Sequence, residues 1–284
     1  MSAKVLVRPT AILCFPNKRN GSSLLKNWKR KPLVRVDHNG KLSTNAARKL
    51  RSAMRWLLAS SLVKKCYEKQ KQAMVEYRVN MCTLTFKKNM QDDDRARELL
   101  GMWLDMAKHR FGLEHYVWKA EAQERGAIHF HLCTGVYIPH AELCYTWNRL
   151  LYRNGIRQVN ANSTDVHAVT EEYNAEAYLT DYLLNEEKSS GRRPIRGRLW
   201  GCSRLLSGAG KLSLHVTDED RRAMVEDMQH LLLWNKVSLP ISKFLDYYCL
   251  NESLWKSMPN CELKSLYMAE LDLLAPKISQ PSFW

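Results

Sequence analysis

The sequence predicts an α+β fold, in which a split βαβ unit forms an antiparallel sheet with helices on one face, between a basic N-terminal arm and a helical C-terminal tail. Three observations carry that expectation. The middle of the chain orders its period-two and helical segments as strand, helix, strand, strand, helix, strand. The first 80 residues hold 19 Lys/Arg against 3 Asp/Glu, a net +16, whereas the remaining 204 hold 25 against 26. Pro9, Pro16, Asn20-Gly21, Pro32 and Asn39-Gly40 punctuate the start rather than propagate regular structure.

Residues 1–44 are therefore expected to be a poorly ordered basic arm. From Asn45 the pattern changes. Leu50, Met54, Leu57 and Ser61 fall on one helical face and Arg48, Arg51 and Arg55 on another, so 45–74 is assigned to a basic amphipathic helix whose arginine stripe is a candidate DNA contact. Residues 79–86 (VNMCTLTF) alternate and are β-branched, which reads as a strand. Residues 92–111 open on three acids, close on Lys108-His109-Arg110 and stop at Gly112, a helix with both dipole ends complemented. Residues 114–121 and 127–133 read as strands joined by the turn Gln-Glu-Arg-Gly. Residues 139–154 form a helix between Pro139 and Gly155, 165–170 a fourth strand, and 171–187 a third helix. Such a unit is ferredoxin-like, or RRM-like, and is placed within 75–210. Lys188, Arg192, Arg193, Arg196, Arg198 and Arg204 follow with no acid between them, which favours phosphate contact, and Trp200 among them could stack on a base. Residues 211–284 are expected to be a helical appendage.

At 284 residues and 45% hydrophobic, the chain can bury a sizeable core, which excludes disordered and fibrous classes. A formal charge of +15 points to a polyanionic partner. No apolar run approaches the roughly 18 residues that span a bilayer, so no membrane association and an intracellular location are expected. The eight cysteines form no CxxC pair, which argues for reduced core residues rather than a zinc ribbon or a disulfide framework.

Ile128-His129-Phe130-His131-Leu132 is the chemical centre of the sequence. Strand alternation puts the apolar three on one face and both imidazoles on the other, where they can share one metal ion. Glu121 lies on the partner strand of the hairpin with matching parity, and Gln123, on the same face, could replace or supplement it. Two imidazoles and a carboxylate leave coordination positions open, which suits a catalytic divalent ion rather than a closed structural one. Tyr178 and Tyr182 stand one helical turn apart, where both phenols could reach one phosphate.

Thr83-Leu84-Thr85-Phe86, then Glu121 with His129-Phe130-His131, then tyrosines on a downstream helix resemble the three ordered motifs of HUH endonucleases. Within that superfamily the chain is most similar to the rolling-circle replication initiators, or Rep proteins, of single-stranded DNA phages and related small replicons. Glu121, Gly126, His129 and His131 match the phrase Glu-x-x-x-x-Gly-x-x-His-x-His of the phage-type subgroup, and Gly197-Arg198-Leu199-Trp200-Gly201-Cys202-Ser203-Arg204 adds to the likeness. The resemblance covers about residues 45–210. It implies a nick in single-stranded origin DNA, a 5′-phosphotyrosine and a free 3′-OH that primes synthesis, a second tyrosine resolving the product. Carried across, His129, His131 and Glu121 would bind Mg²⁺ or Mn²⁺, although the donor set alone equally admits zinc. Tyr178 and Tyr182 would be the nucleophiles, and Thr83 and Thr85 would join the DNA-contacting residues. The family's third motif usually has a lysine three residues after tyrosine, where this chain has Asp181 or Asn185.

Competing expectations are a catalytically impaired origin- or single-strand-DNA-binding protein and a transposase or mobilisation nickase of the same chemistry. A metalloenzyme acting on small molecules explains neither the basic arm nor the paired tyrosines. Ser207-Gly208-Ala209-Gly210-Lys211-Leu212 imitates a phosphate loop but lacks its spacing and its Ser/Thr, so no nucleotide-hydrolysing helicase is expected. Unwinding and synthesis would then be borrowed from a host helicase and polymerase in the host cytoplasm.

Overall fold

A computed structural model describes residues 2–9, 11–15, 40–68, 71–87, 89–157, 161–170, 183, 192–234, 246–249, 255, 258 and 261–275. The chain divides into two compact units, one of Met1–Val36 with Gly208–Trp284 and the other of Asp37–Ser207.

In the first unit, β1 (Ser2–Arg8) and β2 (Ala11–Phe15) pair with each other and with two distant strands, β10 (Ser213–Thr217) and β11 (Asp246–Cys249), in the antiparallel order β10-β1-β2-β11. Val5 and Val7 alternate on β1 and meet Cys14 and Ile12 on β2, and all four are buried. This corrects the poorly ordered arm for residues 2–15. Their period-two pattern is short, and the strands that complete it lie about 200 residues downstream, where no local signal reveals them. The C-terminal region is helical over Asp218–Trp234 and Glu262–Leu274, yet it also supplies β10 and β11. Glu270, 2% exposed, accepts from the amides of Gly210 (2.9 Å) and Leu212 (2.6 Å). Those amides of the phosphate-loop imitation are thus bonded to the protein's own carboxylate.

The second unit opens with α1 (Thr44–Ser60), capped by Ser43, whose hydroxyl accepts from Ala46 N at 3.2 Å. It buries Leu50, Ala53, Met54, Trp56 and Leu57 and leaves Arg48 and Arg51 exposed. The assignment of 45–74 to one helix is corrected beyond Ser60: β3 (Lys64–Glu68) and β4 (Ala73–Tyr77) form an antiparallel hairpin there. Alternation buries Val75 and Tyr77 on one face and exposes Tyr67 and Met74 on the other.

β5 (Asn80–Thr85), α2 (Asp93–Phe111), β6 (Tyr116–Ala122), β7 (Ile128–Thr134), α3 (His140–Arg153) and β8 (Thr164–Ala168) follow in the expected order. With β9 (Trp200–Cys202) the strands form a five-stranded antiparallel sheet, β8-β5-β7-β6-β9. The first four of these are the split βαβ order, and β9 extends its edge. A Cβ at Gly201 would stand 2.7 Å from Trp118 Nε1, so glycine lets β9 lie against that indole. Residues 171–182 and 184–187 of the expected third helix lie outside the described residues; Leu183 is helical and buried.

α2 starts at Asp92, whose carboxylate accepts from Arg95 N at 2.9 Å, and ends at Gly112 in the left-handed region (φ 65°). α2 and α3 bury Leu99, Trp103, Leu143, Trp147 and Leu151 in the same core as Cys82, Leu84, Trp118, Ala120, Ile128, Phe130 and Leu132 of the sheet. Phe130 and Trp118 meet edge to face at 5.9 Å, and Trp147 donates its indole N–H to Thr85 O at 3.0 Å. Burial pushes the Cys82 thiol up to about 12, in keeping with reduced core cysteines. Among the described residues no helix is long and apolar enough to cross a membrane.

Phe130 lies between the two histidines in sequence and points the other way, into the core. Phe130→Ala is expected to cost about 3–5 kcal/mol, read as a lower urea midpoint with cooperativity retained. A loss under about 1 kcal/mol would mean the site strand is not anchored through this ring.

Candidate metal centre

The face of the sheet opposite that core is built in rows. Antiparallel partners share a side, so Thr85, His129 and Glu121 form one row across β5, β7 and β6. Asp165, Thr83, His131, Lys119 and Trp200 form the next across all five strands. The row beyond begins with buried Met81, Cys133 and Val117. The hairpin turn keeps the rows aligned: Gln123 N donates to Ala127 O and Gly126 N to Gln123 O, both at 2.8 Å, with Gly126 at φ 84°.

Glu121, His129 and His131 each offer a donor atom, and the three lie within 4.8 Å of one another. Glu121 Oε2 is 3.7 Å from His129 Nε2 and 3.5 Å from His131 Nε2. Donors bonded to one ion at about 2.1 Å stand roughly 3–3.5 Å apart, so small adjustments would close the site around a divalent cation. His129 Nε2 is buried and has no hydrogen-bond partner among the described residues, as a nitrogen reserved for a ligand would be. His131 Nδ1 lies 3.2 Å from Thr83 Oγ1, a contact that fixes the ring with Nε2 toward Glu121. The donor set fits a divalent ion of the Mg²⁺, Mn²⁺ or Zn²⁺ kind.

Electrostatics prepare these donors. Burial alone would raise the Glu121 carboxyl, but His129, His131 and the Lys119 ammonium outweigh it and hold it well below the usual carboxylate range. Burial lowers His129 from 6.5, against the pull of Glu121, so the ring stays neutral. Lys119, absent from the expected site, lies 2.7 Å from Glu121 Oε1. Its signal in the sequence was its parity, two residues before Glu121 on the same strand.

The other expected residues divide. Gln123 stands just past the end of β6, where its Oε1 accepts from Arg125 Nε at 2.9 Å. Together with Glu124, Arg125, His129 and Arg192 it lines a cleft of about 440 Å³. Arg192 donates to Ala122 O at 3.2 Å, which places it at that cleft. Arg193 instead clamps α2: it meets Asp93 at 2.6 and 3.0 Å and donates to Gly126 O at 2.5 Å. Arg196, Arg198 and Arg204 are exposed, and Trp200 is half-buried in the row of Lys119. Thr83 and Thr85 line the histidine face. Tyr178, Tyr182 and Lys188 lie outside the described residues.

Residues 79–187 match the family model described as Replication-associated protein ORF2, a span that begins at β5 and leaves 1–78 and 188–284 outside it. The match supports the resemblance to Rep-type initiators. No curated protein and no solved structure matches the chain.

Metal-free protein is expected to lose stability as pH falls below 6.5, because unfolded His129 takes up a proton that the buried ring resists. More is lost below 4.5, where the unfolded Glu121 carboxyl protonates while the folded one stays ionised. Urea midpoints at stepped pH check this, with His129→Gln and Glu121→Gln each flattening its own arm. Variants that leave the profile unchanged would show that these groups do not set it.

Proposed function

From a family match that runs across the sheet and its hairpin, we propose that the protein is a replication initiator that nicks single-stranded origin DNA and transfers the strand to tyrosine. The observation that carries it is the buried Glu121–His129–His131 cluster within the matched span. A divalent ion held there, Mg²⁺ or Mn²⁺, would neutralise charge on a phosphodiester. Glu121, His129 and His131 supply the donor atoms, and Thr83 holds the His131 ring in place. Arg192 at the cleft, with exposed Arg196, Arg198 and Arg204, contacts backbone phosphates, and Trp200 offers a ring for base stacking. Arg48, Arg51 and Arg55 on α1 are assigned a sequence-tolerant role in attachment.

Tyr178 and Tyr182 are the proposed nucleophiles. The phenolic oxygen bonds to phosphorus as the P–O3′ bond breaks, so one phosphodiester replaces another. The phenol's proton leaves and the 3′ oxygen gains one, which frees a 3′-OH for a host polymerase behind a host helicase in the host cytoplasm. A second tyrosine rejoins the strand by the same exchange.

Full-length protein incubated with randomised single-stranded oligonucleotides and Mn²⁺ or Mg²⁺ is expected to give a covalent adduct on a denaturing gel. Joint Tyr178→Phe and Tyr182→Phe substitution should abolish it. His129→Ala should cut it by roughly 100-fold or more while DNA affinity persists. Persistence of the adduct without both phenols would refute the nucleophiles. Binding with no adduct under either metal would favour a DNA-binding protein without nicking activity.

A further inference from the structure

Lys119 is a cation inside the candidate metal centre that the chemistry above does not employ. The residue is 5% exposed, and a lysine is seldom buried so deeply unless paired. Its Nζ lies 2.7 Å from Glu121 Oε1, while the other carboxylate oxygen, Oε2, faces His131 at 3.5 Å and His129 at 3.7 Å. The register sets His131 on one side of Lys119 and Trp200 on the other.

Resting on the metal reading of Glu121, His129 and His131, we propose that Lys119 is a positioning residue that makes Glu121 a one-oxygen ligand and weakens the hold on the ion. Two consequences follow from charge and geometry. With both imidazoles neutral, the Lys119 ammonium cancels the Glu121 carboxylate, so an arriving divalent cation meets a centre with no net charge rather than one of −1. With Oε1 engaged, Glu121 cannot chelate through both oxygens, and a coordination position stays open to water or to a phosphate oxygen. A side chain that served only to fill space would do neither. The ammonium also adds positive charge beside the site, while the segment around Tyr178 carries Asp181 and Asn185.

The test uses full-length protein without DNA. Mn²⁺ affinity is measured by calorimetry, and inner-sphere water on the bound ion by proton relaxation. Lys119→Met removes the charge at similar length; Lys119→Gln removes it but leaves a donor toward Oε1; Lys119→Arg keeps it. The two neutral variants are expected to bind Mn²⁺ about tenfold more tightly than wild type, and Lys119→Met should lose inner-sphere water as Glu121 chelates. Lys119→Arg should stay near wild type. Unchanged or weaker affinity in whichever neutral variant unfolds cooperatively would overturn the proposal. Wild type that binds no Mn²⁺, Mg²⁺ or Zn²⁺ would remove the metal reading itself, a different failure from wild-type binding that does not respond to Lys119.

Discussion

The register between β6 and β7 is the constraint on which the site depends. Glu121 opposes His129, and Lys119 opposes His131, because a turn closed by two backbone hydrogen bonds and a left-handed glycine fixes the pairing. A strand has a side-chain period of two, so a slip of one residue would carry Phe130 to the polar face and both imidazoles into the core. The core resists that slip with Phe130, Ile128 and Leu132 packed below helices. Specificity of pairing and placement of the metal donors are therefore one physical fact seen from two faces of a sheet.

Local chemistry made much of this readable. The bounds of α2 were visible because Asp92 and Gly112 satisfy its ends through groups the sequence names. The βαββαβ order and the convergence of Glu121, His129 and His131 followed from alternation and parity. What escaped depends on distant pairing. β9 is three residues long and exists because an edge of β6 is there to receive it. β1 and β2 lie in a stretch whose prolines and lysines outweigh four alternating apolar residues in any local count. The buried lysine escaped for another reason: charge is ordinarily read as exposure, and only the strand's inward face reverses that reading.

The arginine run after Lys188 shows how a shared composition hides separate tasks. Arg193 gives its guanidinium to Asp93 and to the hairpin turn, so it holds the loop to the start of α2. Its neighbour Arg192 lines the cleft beside His129. Asp93 is buried, and an unpaired buried carboxylate is costly, which ties one arginine to structure and leaves the others available to a polyanion. The net charge of the chain thus overstates the cations available to DNA.

The sheet that joins the two ends of the chain sets a schedule for synthesis. Ser2 pairs with Thr217, so a ribosome must deliver more than two hundred residues before β1 finds β10. The stretch holding the metal donors, 37–207, emerges whole before that closure. Its sheet draws on neighbours in sequence and can form early, while the terminal sheet is a contact of high order that forms late. Until then β1 and β2 keep open edges, and the lysines and prolines around them suit a strand pair that must wait without aggregating.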